Sequence, residues 1–416
     1  MTRQEAGRRG LAAALAAALV IPALAMTGGS VAAAVNRPAV RGSASRAPVL
    51  AWGHNFSGQL GDGSTADRNV PVKVRLPQGT QVRQIRAGCR HTLALTSAGQ
   101  VLAWGDNQYG QLGNGTTAGR HAPVRVRIPA GTAITEIRAG CAFSLALTSA
   151  GQVLAWGDNV LGELGNGTTA DSDIPVRVHL PNGTRVTAIS AGGSFGLART
   201  AGGKILAWGE NLSGQLGNGT TANSATPVLV QLPPAATATD IAAGGEHSLA
   251  LTSAGMFAWG YNEFGQLGNG TTTNSDAPVR VEILLHGHGF GHVTGLFAGC
   301  DHSLALFSSG RVLAWGYNEY GQLGDGTTIN TEKPAGVMFP VGTTVKAISA
   351  ACQDSFALTA SGRVLAWGFN GYGTLGDGTS AASATPVRVA LPSGWRASSV
   401  DAGPDALHAL AIARKT

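Results

Sequence analysis

The sequence predicts an all-β chain, a seven-bladed β-propeller of four-stranded blades whose ring closes by pairing strands from the two ends of the chain. Three observations predict it. The triplet Ala-Trp-Gly recurs at Trp52, Trp104, Trp156, Trp208, Trp259, Trp315 and Trp367, at spacings of 52, 52, 52, 51, 56 and 52 residues. Self-similarity at such a period marks stacked or radially arranged units. Each period holds four short apolar runs, and each end of the chain holds the runs the other lacks.

Composition agrees. Only 12% of residues are charged, against 61 glycines, which favours short strands and tight turns and excludes a helical bundle. Taken in order, residues 1–34 come first: Arg3, Arg8 and Arg9 precede "LAAALAAALVIPALA", and small residues then lead to "VAAA". This is the pattern of a secretory signal peptide, cleaved after Ala34 or Ala25. Pro22 interrupts a run shorter than the roughly 20 apolar residues of a membrane span, so no span is expected after cleavage. "RRGLAA" lacks the hydrophobic residue usual after a twin-arginine pair, so the general export route is expected. Residues 35–48 read as a flexible linker, and residues 49–416 as the propeller.

Without residues 1–34 the formal charge is 26 Lys and Arg against 22 Asp and Glu, a mild excess of four. The cations are scattered along the sequence with no basic run, so no nucleic-acid partner is expected.

Within one period the strands read as "VRQIRAG" (82–88), "HTLALTS" (91–97), "QVLAWG" (100–105) and "PVRVRI" (123–128). Ser-Ala-Gly makes a tight hairpin between the second and third, and Asn-Gly breaks up the long connection from third to fourth. The recurring Trp of each third strand fills the wedge between blades, burying on the order of 150–250 Å². Small residues end each first strand, where the strands crowd at the axis. At the N-terminal end "VLAWG" (49–53) is a third strand without a first or second; the chain closes on "SSVDAG" and "LHALAIA", a first and second without a third. A blade shared between both ends protects strand edges that would otherwise pair with other chains.

The segment "AGCDHSLALFSSGRVLAWGYNEYGQLGDGTT" resembles the regulator of chromosome condensation repeat, and about 365 residues carry the resemblance. That family includes a nuclear exchange factor for a small GTPase that binds chromatin, whereas this sequence carries an export signal and no basic arm. Secreted bacterial relatives with the same terminal arrangement include inhibitors of β-lactamase, whose repeats are shorter and lack "GQLGNGTT". The resemblance therefore implies a secreted bacterial type of repeat propeller, with enzyme inhibition as an alternative function.

Catalytic signals are weak. "GGSFG" at 192–196 fits the G-x-S-x-G elbow with Ser194 as nucleophile. It occupies the slot held by "GCRHT", "GCAFS" and "GGEHS" in other repeats, and no helix pattern follows, so no enzyme is expected. The loop "LLHGHGFGHV" (284–293) departs most from the period; His286, His288 and His292 fit a glycine-rich extension better than a metal site. His91, His247 and His302 give way to Phe143, Phe195 and Asp354 at the same position and read as packing or turn residues. Asn-Gly-Thr triplets read as turns with positive φ rather than as sugar acceptors. No cofactor is implied.

Binding residues are sought where the repeats disagree. Two residues after each Trp stand His54, Asp106, Asp158, Glu210, Tyr261, Tyr317 and Phe369; three further on stand Ser57, Tyr109, Leu161, Ser213, Phe264, Tyr320 and Tyr372. This gives an acidic arc (Asp106, Asp158, Glu210) and an aromatic arc (Tyr261, Phe264, Tyr317, Tyr320, Phe369, Tyr372) on connections that emerge on one face. Aromatic residues favour interface cores, and an acidic sector orients a partner. Packing of the loops onto each other explains the same rings equally well.

Cys89, Cys141, Cys300 and Cys352 share one slot after the first strand. Two bridges, 89 with 141 and 300 with 352, would need Cα atoms within about 7 Å. Blade spacing near the axis falls on either side of that limit, and four thiols filling a tight slot is the reading the residues slightly favour. The expected protein is an exported, monomeric, non-enzymatic propeller that binds another extracellular or cell-surface protein, free or at the cell envelope. A glycan binder or polysaccharide-acting enzyme is the other alternative, and would require carboxylates, His or Tyr converging on one pocket.

Overall fold

The computed structural model describes residues 47–283 and 290–416. The segment read as a signal, most of that read as a linker, and His286 and His288 lie outside the described residues. Every regular element among the described residues is a β-strand, and the strands form seven four-stranded antiparallel sheets.

The first complete blade runs Val82–Ala87, His91–Thr96, Val101–Gly105 and Arg120–Arg125, each strand pairing with the next. The middle two strands are buried throughout, while the fourth is largely exposed. The fourth strand begins earlier than the apolar run suggests. Its ladder opens at Gly105 opposite Arg120 and is irregular before Val124 meets Ala103. Pro123 lies in that irregular stretch, and proline is tolerated there because the strand is an edge.

Blades stack through seven apolar clusters, each closed by a Trp from the following blade. Trp156, for example, packs on Leu93, Leu95, Val101 and Leu112 of the blade before it. All seven of these Trp are fully buried. Each indole N–H donates to a loop carbonyl of the preceding blade, as Trp104 does to Gln59 at 2.8 Å and Trp156 to Gln111 at 2.9 Å. The Trp thus supplies both the wedge of apolar volume and a directional bond that fixes its depth.

A second tie crosses the same seam. Ser144, paired opposite Trp156, donates its hydroxyl to the same Gln111 carbonyl and lies 3.0 Å from Nε2 of His91 in the preceding blade. His247 with Ser303, His302 with Ser355 and His408 with Thr92 repeat it. These histidines are therefore inside the seam rather than in turns. Burial lowers their pKa, to about 4 for His91 and His247 and about 3 for His302 and His408.

At the axis the first strands converge on Gly88, Gly140, Gly192, Gly244, Gly299 and Gly403. A Cβ at Gly88 would lie 2.5 Å from the Gly140 carbonyl oxygen, and one at Gly244 would lie 2.6 Å from that of Gly299. No side chain fits at those glycines, and the seventh equivalent position carries the smallest one, Ala351, fully buried. The last blade is the shared one: Trp395–Asp401, His408–Lys415, Val49–Gly53 and Arg68–Lys73 lie side by side in that order. Val49 through Gly53 pair with Ile412 through His408 without a break.

Candidate functional site: the loop face around the axis

Strand alternation puts the first-to-second and third-to-fourth connections of every blade at the same end of the molecule. The long connections are held by a residue that the sequence reading did not single out. Asn55, Asn107, Asn159, Asn211, Asn262, Asn318 and Asn370 are fully buried. Asn107 donates through Nδ2 to the carbonyls of Thr116 and Ala118 at 2.7 and 3.1 Å, and its Oδ1 accepts from Leu112 N at 2.9 Å. Each loop is thereby folded around one amide.

Four residues beyond each Asn stands Gln59, Gln111, Gln215, Gln266 or Gln322, replaced by Glu163 and Thr374 in two loops. Gln111 Oε1 accepts from Tyr109 N at 3.0 Å, and Glu163 accepts equivalently from Leu161 N at 2.9 Å. Burial, with the nearby charges of Asp158 and Glu210, pushes the Glu163 pKa from 4.5 up to about 7. Its pKa being raised on folding, Glu163 contributes most favourably below pH 4.5, and that contribution is lost as pH rises through 7. Glu163→Gln restores the amide of the sister loops and should stabilise the protein by about 2 kcal/mol at pH 8 and by little at pH 5. Melting curves at the two pH values check this; equal shifts at both would refute it.

The aromatic arc is continuous. Ring centroids run Tyr261 to Phe264 at 6.1 Å, Phe264 to Tyr317 at 4.8 Å, Tyr317 to Tyr320 at 6.2 Å, Tyr320 to Phe369 at 5.2 Å, Phe369 to Tyr372 at 5.8 Å, and Tyr372 to His54 at 4.7 Å. Seven rings thus span four neighbouring loops. All are half-buried except Tyr372, which is 40% exposed. The Tyr261 and Tyr317 hydroxyls donate to Glu263 and Glu319, both at 2.9 Å. Burial and these acceptors push both phenols up to about 12.

The acidic arc divides. Asp106 accepts from the N–H groups of Asn107 and Gln108, and Asp158 from that of Val160, so these two carboxylates cap their own turns. Glu210 instead belongs to a group around the axis, its pKa raised by burial and by the charge of Glu246. That group includes Glu246, Asp301 and Asp405, in the slot just after the cysteine position, which the sequence reading did not single out. Ser213 Oγ donates to Glu246 at 2.8 Å, and Gln266 Nε2 to Asp301 at 3.4 Å. Asp301 is pushed up to about 6 by burial and by Glu246; Asp405 is pushed up to about 7 by burial and by Asp301, Glu246 and Glu210. Three acidic residues at one repeat position is a signal the sequence does carry.

Both cysteine pairs are bridged, Cys89 with Cys141 and Cys300 with Cys352, with Cα separations of 4.5 and 4.4 Å. The preference for four free thiols does not hold, because convergence at the axis brings this slot well inside bridging distance. Asp405 lies over the same ring, with Oδ1 3.0 Å from Cys300 Sγ. Ser194 leads into the strand Phe195–Thr200, so the strand-to-helix turn of a nucleophile elbow is not formed. His292 is exposed. The outermost position of the long loops, not considered from sequence, exposes Phe56, Val160 and Leu212 at 74, 65 and 68%.

Known proteins share this architecture. The chain is 31% identical over 334 residues to the ultraviolet-B receptor UVR8 of Arabidopsis thaliana, covering 80% of this chain and 75% of that protein. It is 31% identical over 368 residues to the human E3 ubiquitin-protein ligase HERC2, covering 87% of this chain but 8% of that far longer protein. Among solved structures, yeast RCC1 (Prp20) bound to Kap60 superposes with a TM-score of 0.80 at 22% identity, over 89% of each chain, a likeness of fold. Human WBSCR16 superposes with a TM-score of 0.77 at 26% identity, over 89% of this chain and all of that one. The RCC1-like domain matches residues 49–409, and the chain belongs to that family.

Proposed function

We propose that this chain is an exported, non-enzymatic binding propeller that takes a protein partner, outside the cell or at its surface, on the loop face. The observation that carries the reading is the unbroken ladder of half-buried rings from Tyr261 to His54 on a rigid ring of blades. Rings already ordered by their neighbours lose little freedom on contact, and aromatic anchors commonly dominate interface energetics. Membership of a family that includes a receptor supports a binding role. Export rests on the pattern of residues 1–34 and the paired cysteines, since disulfides persist in oxidising compartments.

The test is a pull-down from extracellular medium with the folded protein, scored for proteins and for glycans. Against the captured partner, the Tyr261→Ala, Tyr317→Ala, Phe369→Ala triple variant should lose at least about 2 kcal/mol of binding with its melting transition retained. Undiminished binding by that variant would make the ladder loop packing only. Capture of glycans without protein would favour the glycan-binding alternative.

A further inference from the structure

The scattered charges of the sequence are sorted by the fold. The connections at the loop end are residues 54–67, 106–119, 158–171, 210–223, 261–274, 317–330 and 369–382, with the shorter 88–90, 140–142, 192–194, 244–246, 299–301, 351–353 and 402–407. Residues 49–416 hold 22 Asp and Glu, the chain's 23 less Glu5, and 23 Lys and Arg, the chain's 29 less the six arginines of residues 1–48. Fourteen of those acids lie in the fourteen connections, and a single cation, Arg90, lies with them. The remaining 8 acids share the rest of the propeller with 22 cations. A nearly neutral chain thus presents one strongly negative end.

Some of these carboxylates serve the fold. Asp62 pairs with Arg68 at 2.9 Å, and Asp325 and Asp377 cap the turns of Thr327 and Thr379. The axial group does not share that role. Among the described residues no ion pair engages Glu210, Glu246, Asp301 or Asp405. Oδ2 of Asp405 is shielded from solvent and has no hydrogen-bond partner. It lies beside Gly193 and Gly245, where added Cβ atoms would stand 3.0 and 3.1 Å from its carboxylate oxygens. The rings of Tyr261 and Tyr317 stand close enough to Asp301 for its charge to act on both phenols.

Like charges gathered without a counter-ion, next to aromatic faces, suit a cation of the partner: the carboxylates supply the field and the rings a polarisable wall. Resting on the loop-face reading, we propose that the partner presents a segment rich in Lys and Arg, one cationic side chain of which seats over the axis against Glu246, Asp301 and Asp405 while its neighbours lie along the aromatic ladder. Charge complementarity of this kind sets orientation and encounter rate as much as affinity, and salt weakens it.

The probe is a short fluorescein-labelled peptide alternating Lys and Gly, with the Glu-Gly peptide as its counterpart, titrated by fluorescence anisotropy into the folded full chain. The Lys peptide should bind and weaken steeply with added salt, and the Glu peptide should not bind. The Glu246→Gln, Asp301→Asn double variant should weaken the Lys peptide at least tenfold, whereas Glu282→Gln, an acid outside the fourteen connections that pairs with Lys333 at 2.9 Å, should leave it unchanged. Salt titration of the unsubstituted protein tests the same point should the double variant fold poorly. Three results would overturn the proposal: no salt-sensitive binding of the Lys peptide, calcium ions binding at the axial acids in place of the peptide, or salt-sensitive self-association abolished by the double variant, which would make a second copy the occupant. A natural partner lost with the aromatic triple variant yet retained by the acid variant would also overturn it, and would leave the loop-face reading standing.

Discussion

Deleting residues 408–416 should abolish cooperative folding. The lost strand is not an edge: it lies between Trp395–Asp401 and Val49–Gly53, and both are left with bare ladders. Two inter-blade cores fail together, because Leu410 and Ile412 pack with Trp104 on one side while Ala409 and Ala411 pack with Trp52 on the other. The tie from His408 to Thr92 goes as well. Large-to-small changes at buried aliphatic sites cost about 2–5 kcal/mol each. Losing two such side chains, two buried alanines and a strand's ladder bonds on both sides is set against the roughly 5–15 kcal/mol by which domains are stable. Leu410→Ala alone should give a graded loss of about 3 kcal/mol. Denaturant unfolding followed by tryptophan fluorescence measures both, and an unchanged midpoint for the truncated protein would refute closure by the terminal strands.

Reduction should have the next largest effect. Each bridge joins cysteines 52 residues apart, and closing a loop of that length removes about 4 kcal/mol of denatured-state entropy in the chain-entropy treatment. Both bridges lie at the axis, one on each side of the Gly193 and Gly245 slots, so their loss frees two of the seven inner junctions from covalent support. Melting with and without reductant should show a large downward shift. Alkylation of the unreduced, denatured protein, followed by mass measurement, should find no modified thiol; four would remove both bridges. A Cys89→Ser, Cys141→Ser variant should show roughly half the shift.

What the sequence discloses is whatever repeats within one blade. The Trp of each third strand, the small residues at the axis and the complementary ends were all legible, because strand period and turn chemistry are local. The seam ties were not. That His91 meets Ser144, 53 positions away, follows only once blades are packed side by side. Asn107 and its six equivalents were visible in every repeat, yet nothing along the chain marks an asparagine as a loop's centre until the carbonyls it gathers are known. The bridges turned on a distance set by crowding at the axis, which no spacing along the chain encodes. Charge misled in the same way: Lys and Arg look evenly scattered along the chain, and only alternation of strand direction gathers fourteen of the propeller's 22 acids, with Arg90 alone among the cations, into the connections of one end. The aromatic arc was found as a list of positions, while its continuity depends on the fifth residue after one Trp reaching the second residue after the next.

The shared blade also fixes an order in time. Val49–Gly53 leaves the ribosome, or crosses a membrane, long before the strand that completes it: Gly53 and His408, partners in the ladder, are 355 positions apart. Until then its buried face has no cover on the side of the last blade, and five residues of hydrogen-bonding edge stay open to any passing strand. Each other blade can form as soon as its own roughly fifty residues are out, so assembly proceeds as a growing arc with a waiting first strand and shuts in one late, long-range step of the kind that folds slowly. A chain interrupted nine residues short of its end is therefore as unfinished as one that lacks a whole blade.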